Sequence, residues 1–190
     1  MRIFYSFALP ALWLAWCTYW WVVGRDVKPV IRRESVASRA GHILPLAIAV
    51  LLLALPVLPF GFLSGRMLPA TRAAFFTGLA LVVAGMLLSI RARAYLGRNW
   101  SGVVTLKEGH ELIRGGPYRW VRHPIYSGLL IAIAGSALVL GEWRGLLALV
   151  IAFAALWRKL RLEERWLGEA FGERYAAYRA EVAALVPFVL

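Results

Sequence analysis

The stretch IRGGPYRWVRHPIYSG, Ile113–Gly128, sets arginines, a histidine, two prolines and two tyrosines against the start of a long apolar run. This is the pattern of a polar loop at a membrane surface feeding directly into a helix. Pro124 suits a first helical turn, where a missing N–H has no partner to lose. A helix is therefore predicted from Pro124 to about Leu140, followed by a tight turn at Gly141 and a second apolar segment, Trp143–Trp157. Upstream, Gly115-Gly116-Pro117 is a turn signal.

Working outward, the chain is apolar throughout, with 61% hydrophobic and 17% charged residues among 190. Soluble domains carry about 25% charged residues. Nine tryptophans and seven tyrosines point the same way, because rings with one polar edge collect at membrane interfaces, and nine phenylalanines add to the apolar surface. Three further apolar runs precede the knot: Phe4–Val23, Ile43–Phe62 with a kink expected at Pro56 and Pro59, and about Ala73–Ile90. Gly78 and Gly85 in the third are positions where another helix can approach closely. The fold class read from this is an all-α integral membrane protein of about five transmembrane helices. It forms a single membrane domain over 1–190, with a three-span N-terminal part, 1–90. The second part, 91–190, carries the two-helix hairpin and an amphipathic charged helix from Arg158. The first run is too long for the apolar core of an ordinary signal peptide, so it reads as a span.

Charge decides orientation. The loops 24–42, 91–123 and 158–190 hold five, seven and six Lys or Arg, leaving only Arg2, Arg66, Arg72 and Arg144 on the other side. By the positive-inside rule the N-terminus is outside and the C-terminus cytoplasmic. The polar knot and the C-terminal helix then share the cytoplasmic face, where the 91–123 loop and that helix can form a pocket. The net charge of +12 fits attraction to anionic membrane lipids. Nucleic acid is excluded, since no soluble surface remains for a binding groove. Cys17 is the single cysteine, which rules out an intrachain disulfide or a thiolate metal cluster. No metal site is expected, and the oligomeric state is not legible.

Three groups can carry chemistry. Arg122-His123-Pro124 places backbone N–H groups of Ile125 and Tyr126 at a helix start, which can hold an anion. The alternative is that Arg122 reaches lipid phosphates and His123 only caps the helix. Tyr118 lies five residues before His123 and can line the same pocket. Lys159 and Glu163 are i,i+4 neighbours, either a solvated ion pair or, with Glu164, a carboxylate site for a bound cation in a poorly hydrated place. Trp100, Trp120, Trp157 and Trp166 either wall such a pocket or anchor the interface.

The segments HELIRGGPYRWVRHPIYSG and EERWLGEAFGERYAAYRAEVAALVPFVL together resemble the isoprenylcysteine carboxyl methyltransferase family, related to the phospholipid methyltransferases, over about residues 85–190. The resemblance implies an S-adenosylmethionine-dependent methyltransferase with its cofactor on the cytosolic side. It assigns cofactor contacts to His110, Glu111, Leu112, Ile113, Tyr118, His123, Pro124, Ile125, Tyr126 and Glu163 and a substrate-placing role to Lys159; with Arg122 as a further steering cation, the candidate catalytic residues are Arg122, Lys159 and Glu163. Lys159 stands where the family has arginine, and Val103 where it has a cofactor-contacting glutamine. Lysine lacks the bidentate grip of arginine on a carboxylate. The acceptor implied is a lipidic or prenylated small molecule, a prenylcysteine α-carboxylate first, with a phospholipid amine or a small thiol as alternatives. A noncatalytic membrane scaffold or transporter component is the alternative of another class; transporters favour charges within their spans, and here only Arg144 lies near one. A carboxylate acceptor is ionised at neutral pH and needs only a cation to steer it, Lys159, Arg158 or Arg122. A thiol or amine would need a base, His123, Tyr126 or Glu163. The polar cluster at one surface of an all-membrane chain predicts that the acceptor enters sideways between spans. The compact length fits a bacterial inner-membrane member.

Overall fold

A computed structural model describes residues 2–25, 27–54, 61–109 and 111–189. Among these are six α-helices: α1 Arg2–Val23, α2 Val36–Ala54, α3 Arg72–Leu96, α4 Pro124–Leu140, α5 Trp143–Phe171 and α6 Glu173–Glu181. Short 3-10 turns lie at Gly61–Ser64, Gly97–Asn99 and Gly116–Arg119. His110, Pro56 and Pro59 lie outside the described residues.

The termini of the helices follow from local chemistry. Thr71 caps α3 by accepting from the Ala74 N–H at 3.0 Å, the role a short hydroxyl side chain fills best. α4 begins at Pro124 as the sequence predicts and ends where Gly141 adopts φ +65°, its N–H bonded to Ala137 O at 2.8 Å. That left-handed stop is nearly strain-free only for glycine.

α3 and α4 form the tightest seam. A Cβ placed on Gly85 would sit 2.3 Å from the Gly128 carbonyl oxygen, and one on Gly135 would sit 2.5 Å from that of Gly78. The two backbones touch at two levels seven residues apart, which only glycine permits. The close approach expected of Gly78 and Gly85 is thus found, with α4 as the partner. α1 lies over this seam through two indoles: Trp13 Nε1 donates to Ser136 Oγ at 3.0 Å and Trp16 Nε1 to Ser89 Oγ at 2.9 Å. On the other side Ala49 and Leu52 of α2 pack with Ala148 and Ala152 of α5 around Ile133.

The apolar helices face outward. α2 and α3 are long and apolar enough to cross a bilayer, and only 17% and 28% of their apolar windows are buried. An apolar surface of that extent belongs in lipid rather than water, and the chain is an integral membrane protein. The expectation of about five full spans is corrected to two helices of spanning length among the described residues, with Phe7–Val23 and Pro124–Leu140 as shorter apolar helices. Two boundaries also move. α2 begins at Val36, before the Ile43 expected, and α5 runs unbroken for 29 residues through Trp157 to Phe171. The charge change at Arg158 marks a change of surroundings, and it does not interrupt the backbone ladder. One element departs from an all-helical reading: β1, Val30–Arg33, pairs antiparallel with β2, Thr105–Lys107. This small ribbon ties the loop after α1 to the loop after α3.

Candidate active site

At the end of the bundle where α3 and α5 leave their apolar stretches, a cavity of about 370 Å³ opens between the 99–123 loop and α5. Its polar wall is built on two elements. α4 supplies His123 as the residue before its first turn, then Ile125 and Tyr126. α5 supplies Lys159 and Glu163, one turn apart on a single face. Glu111, Leu112, Ile113, Tyr118 and Arg122 line it from the loop. The site residues read from the sequence therefore converge, with two exceptions. Pro124 is buried as the helix start without reaching the cavity, and His110 lies outside the described residues.

The carboxylates are held in different ways. Glu163 accepts from the Tyr126 hydroxyl at 2.6 Å and lies 3.6 Å from His123 Nδ1. Its side chain is 22% exposed, toward the cavity, against 5% for Glu164. Glu164 is spent on structure. It accepts from Arg122 Nε at 2.7 Å, lies 2.6 Å from Arg122 Nη2 and 3.4 Å from His123 Nε2, and has Arg179 at 3.6 Å. Burial alone would raise its pKa, but the His123 ring and the Arg122 guanidinium outweigh it and hold the carboxyl at about 2, below an ordinary 4.5. His123 thus lies between two carboxylates, its ring parallel to that of Tyr126 with centroids 5.5 Å apart.

The cations divide similarly. Arg122 also donates to Val182 O, and Arg158 donates to Ser38 O at 2.9 Å. Lys159 gives one hydrogen bond to Gly102 O at 2.9 Å and stands 5.3 Å from the Tyr126 ring centroid. Among the described residues no ion pair joins Lys159 to Glu163, so the solvated i,i+4 pair is not what forms. Of the two N–H groups read as an anion holder at the α4 start, those of Ile125 and Tyr126, one is taken. The N–H of Tyr126 is already bonded to His123 O at 3.0 Å, because His123 sits close enough for its carbonyl to open the helix ladder.

Beyond these, the C-terminal segment straps the polar knot. Arg122 N and His123 N donate to Ala183 O and Ala184 O at 2.8 and 3.0 Å, and Ser127 Oγ donates to Leu185 O at 2.6 Å. Tyr178 of α6 donates from its hydroxyl to Tyr118 O at 2.5 Å. Desolvation pushes the Tyr118 phenol well above its usual range and that of Tyr178 up to about 12, so both remain protonated donors.

The sequence reading missed part of the wall. Trp16 and Trp20 arrive from α1, Leu46 from α2 and Leu129 from α4. Of the four tryptophans considered, Trp100 and Trp166 line the cavity, while Trp157 stacks on Phe153 away from it. Asn99 is buried with its Oδ1 unpartnered among the described residues, and it too lines the cavity. Val103, on which no side-chain contact could be placed, is present in the wall beside Val104. Val104 is fixed from behind by Glu34, whose Oε1 accepts from Val104 N at 3.1 Å and whose own N–H donates to Val104 O at 3.1 Å. Ser38 Oγ donates to Glu34 at 3.0 Å, and His42 Nε2 lies 3.4 Å away.

Fold and site together define a small helical membrane protein with a part-apolar, part-polar cavity at one end of its bundle. The phospholipid methyltransferase family model matches residues 73–174, more than half of the chain, and the chain belongs to that family, among its isoprenylcysteine carboxyl methyltransferase relatives. It is 32% identical over 126 residues to the protein-S-isoprenylcysteine O-methyltransferase of Saccharomyces cerevisiae, covering 63% of this chain and 52% of the yeast protein. It is 34% identical over 119 residues to the B form of that enzyme in Arabidopsis thaliana, covering 59% and 58%, and 34% identical over 119 residues to the mouse enzyme, covering 60% and 41%. The chain therefore spans about half the length of these curated relatives. In fold it is similar to a eukaryotic intramembrane Ras methyltransferase, isoprenylcysteine carboxyl methyltransferase, with a TM-score of 0.52 and 22% identity over 84% of this chain and 55% of that one.

Proposed function

We propose that the protein is an S-adenosylmethionine-dependent methyltransferase acting on a membrane-embedded acceptor, with a prenylcysteine α-carboxylate as the substrate class. The observation that carries this reading is the two-sided cavity. One end gathers Glu163, His123, Tyr126 and Lys159, and the other continues into Trp16, Leu46, Leu129 and Leu156. A water-soluble cofactor and a lipidic acceptor need those two surroundings side by side. The relatives named above are called protein-S-isoprenylcysteine O-methyltransferases, which favours the same acceptor.

The residues present fit the cofactor. The cavity is within the usual range of small-molecule sites, about 300–1,000 Å³. Glu163 presents negative charge where a sulfonium or an α-ammonium would lie, and the buried, unpartnered Oδ1 of Asn99 is an acceptor for a ligand N–H. When bound, S-adenosylmethionine supplies a methyl group on a cationic sulfur, which becomes a neutral thioether as the acceptor oxygen takes the methyl.

The chain's own residues do the rest. Tyr126 and His123 hold the Glu163 carboxylate in place, and the low hydration around it strengthens its attraction for a cation. Lys159 is the cation that can steer an acceptor carboxylate, because Arg122 is neutralised by Glu164 and Arg158 points to α2. Arg122 is a positioning residue, fixing His123 and the C-terminal strap. No proton has to move for a carboxylate acceptor, and alignment of the two reactants supplies the rate.

We further propose that α1, α4 and the first half of α5 cross beside α2 and α3, tilted or in a thinned bilayer, with the cavity on the cytoplasmic side and the N-terminus outside. The 18 Lys and Arg of loops 24–42, 91–123 and 158–190 support this sidedness. The relatives named above are eukaryotic, which gives no support to the bacterial inner membrane expected from the sequence. Within the single membrane domain, residues 91–190 carry the chemistry. Residues 1–90 supply the apolar wall through which the acceptor enters from the side.

Detergent-purified protein assayed side by side with N-acetyl-farnesylcysteine, phosphatidylethanolamine and a simple thiol should methylate the first fastest. Turnover of the lipid amine or thiol alone would move the acceptor class and leave the methyl donor in place. Absence of calorimetric binding of S-adenosylmethionine would remove the whole reading.

A further inference from the structure

The turn Gly116–Arg119 has two sides. Tyr118 faces the cavity already described, while the opposite side closes a separate groove of about 450 Å³ against the end of α3. Leu88, Arg91 and Tyr95 form one bank, and Gly116, Pro117, Arg119 and Trp120 form the other. The banks are locked together at Gly116, whose φ of +58° and lack of a side chain let the Tyr95 ring pack on it. A Cβ there would come within 2.4 Å of that ring.

The chemistry of the groove changes along its length. Leu88 belongs to the apolar stretch of α3, and Arg91 is the first cation after it. Arg119 lies across from Arg91, its guanidinium 4.9 Å from the Trp120 ring centroid. Both arginines are exposed, and among the described residues neither has a carboxylate partner. Tyr95 and Trp120 are 46% and 53% exposed at the depth where Arg91 ends the apolar stretch of α3, which is the interfacial layer these rings prefer. Two arginines without a carboxylate partner among the described residues, lining one groove, attract a phosphate. Leu88 at its other end faces the apolar stretch of α3.

We propose that this groove is a binding site for the phosphate headgroup of an anionic phospholipid, separate from the methyltransferase cavity and on the back of the turn that carries Tyr118. The lipid's phosphate lies between Arg91 and Arg119, its glycerol region between the Tyr95 and Trp120 rings, and a chain descends past Leu88. The claim rests on the membrane location of the chain and needs no particular acceptor or reaction.

Full-length protein is reconstituted in phosphatidylcholine with trace spin-labelled phosphatidylglycerol or spin-labelled phosphatidylcholine, and the motionally restricted fraction of each label is read by electron paramagnetic resonance. Wild-type protein is expected to select phosphatidylglycerol. The double variant R91Q/R119Q should lose that selectivity by roughly tenfold, given the pull of each basic side chain on anionic lipid. R161Q/R165Q, which removes two exposed arginines of α5 outside the groove, should retain it. Equal selectivity in wild type and R91Q/R119Q overturns the site, as does an equal loss in R161Q/R165Q, which would show a general charge effect. A final arm adds inorganic phosphate or glycerol phosphate at matched ionic strength. Displacement of the label beyond that produced by sulfate would show a site for soluble phosphate and overturn the lipid assignment. Unchanged thermal midpoints in pure phosphatidylcholine separate lost selectivity from lost fold.

Discussion

His42 and His123 are both buried, and each lies beside a carboxylate at 3.4–3.6 Å, yet the two pairs are put to different ends. Around His42 everything is closed. The Glu34 and His42 side chains are each 1% exposed, and the carboxylate is filled by Val104 N and the Ser38 hydroxyl. Around His123 the load is split. Glu164 takes the structural partners, while Glu163, held by Tyr126, still has a face toward the cavity. A sealed acid–base pair is a fastener; a pair with one open carboxylate can take a ligand. The comparison teaches that residue type and proximity do not mark a site, whereas an uncommitted acceptor at a cavity wall does.

Glu34→Ala should have the largest effect and should break the sealed pair without touching the open one. It leaves the Val104 N–H and the Ser38 hydroxyl without an acceptor, at a cost of about 2–4 kcal/mol, read as a lower thermal midpoint in detergent. The folded fraction should keep near wild-type calorimetric affinity for S-adenosylmethionine. A loss of affinity as large as that of Glu163→Ala would erase the distinction, since the two pairs would then act as one site.

Glu163→Ala is the converse. Affinity should fall on the order of 100-fold, as for removal of one partner of a buried charge contact, with a small change in midpoint. Tyr126→Phe sharpens the comparison at lower amplitude. It removes the hydroxyl that holds Glu163 at 2.6 Å, and a loss of roughly tenfold in affinity is expected from one charge-assisted hydrogen bond.

A pH profile separates Glu164 from its neighbour. Its pKa is lowered to about 2 from 4.5 in the folded protein. The stability it contributes is therefore fully present above about 4.5 and is lost as pH falls toward about 2. The difference in thermal midpoint between wild type and Glu164→Gln should be constant at neutral pH and close across that acid window. A difference that instead closes near neutral pH would assign the titration to another group.

Much of this arrangement was legible in the sequence. His123-Pro124 and Gly141 delimit α4 because proline and glycine act locally, through a missing donor and a permitted φ. Gly78 and Gly85 announced a close helix contact for the same reason. The convergence of Tyr118, Tyr126 and Glu163 came from the family resemblance. What stayed hidden depends on distant chain. Strands of four and three residues, Val30–Arg33 and Thr105–Lys107, are too short to show alternation. Glu34 reads as an ordinary loop acid until Val104 is brought to it. Trp16 and Asn99 carry no local mark, and only packing turns them toward the cavity. The continuation of α5 to Phe171 was obscured because composition reports the surrounding solvent, while helicity persists as long as neither proline nor a stop glycine intervenes.

The paired glycines between α3 and α4 carry a consequence for the proposed sideways entry of a lipidic acceptor. Where backbones meet without side chains between them, nothing can rotate aside, and sliding would drive peptide groups into one another. α3 and α4 must therefore move as one plank. Any widening has to come from the other flanks, where α1 is held by the indoles of Trp13 and Trp16 and by Arg93 Nη2 donating to Val23 O, and where α2 meets α5 through alanines and leucines with Arg144 and Arg158 donating to Leu52 O and Ser38 O. On the proposed sideways route, the acceptor therefore passes one of these bonded flanks and never the glycine seam.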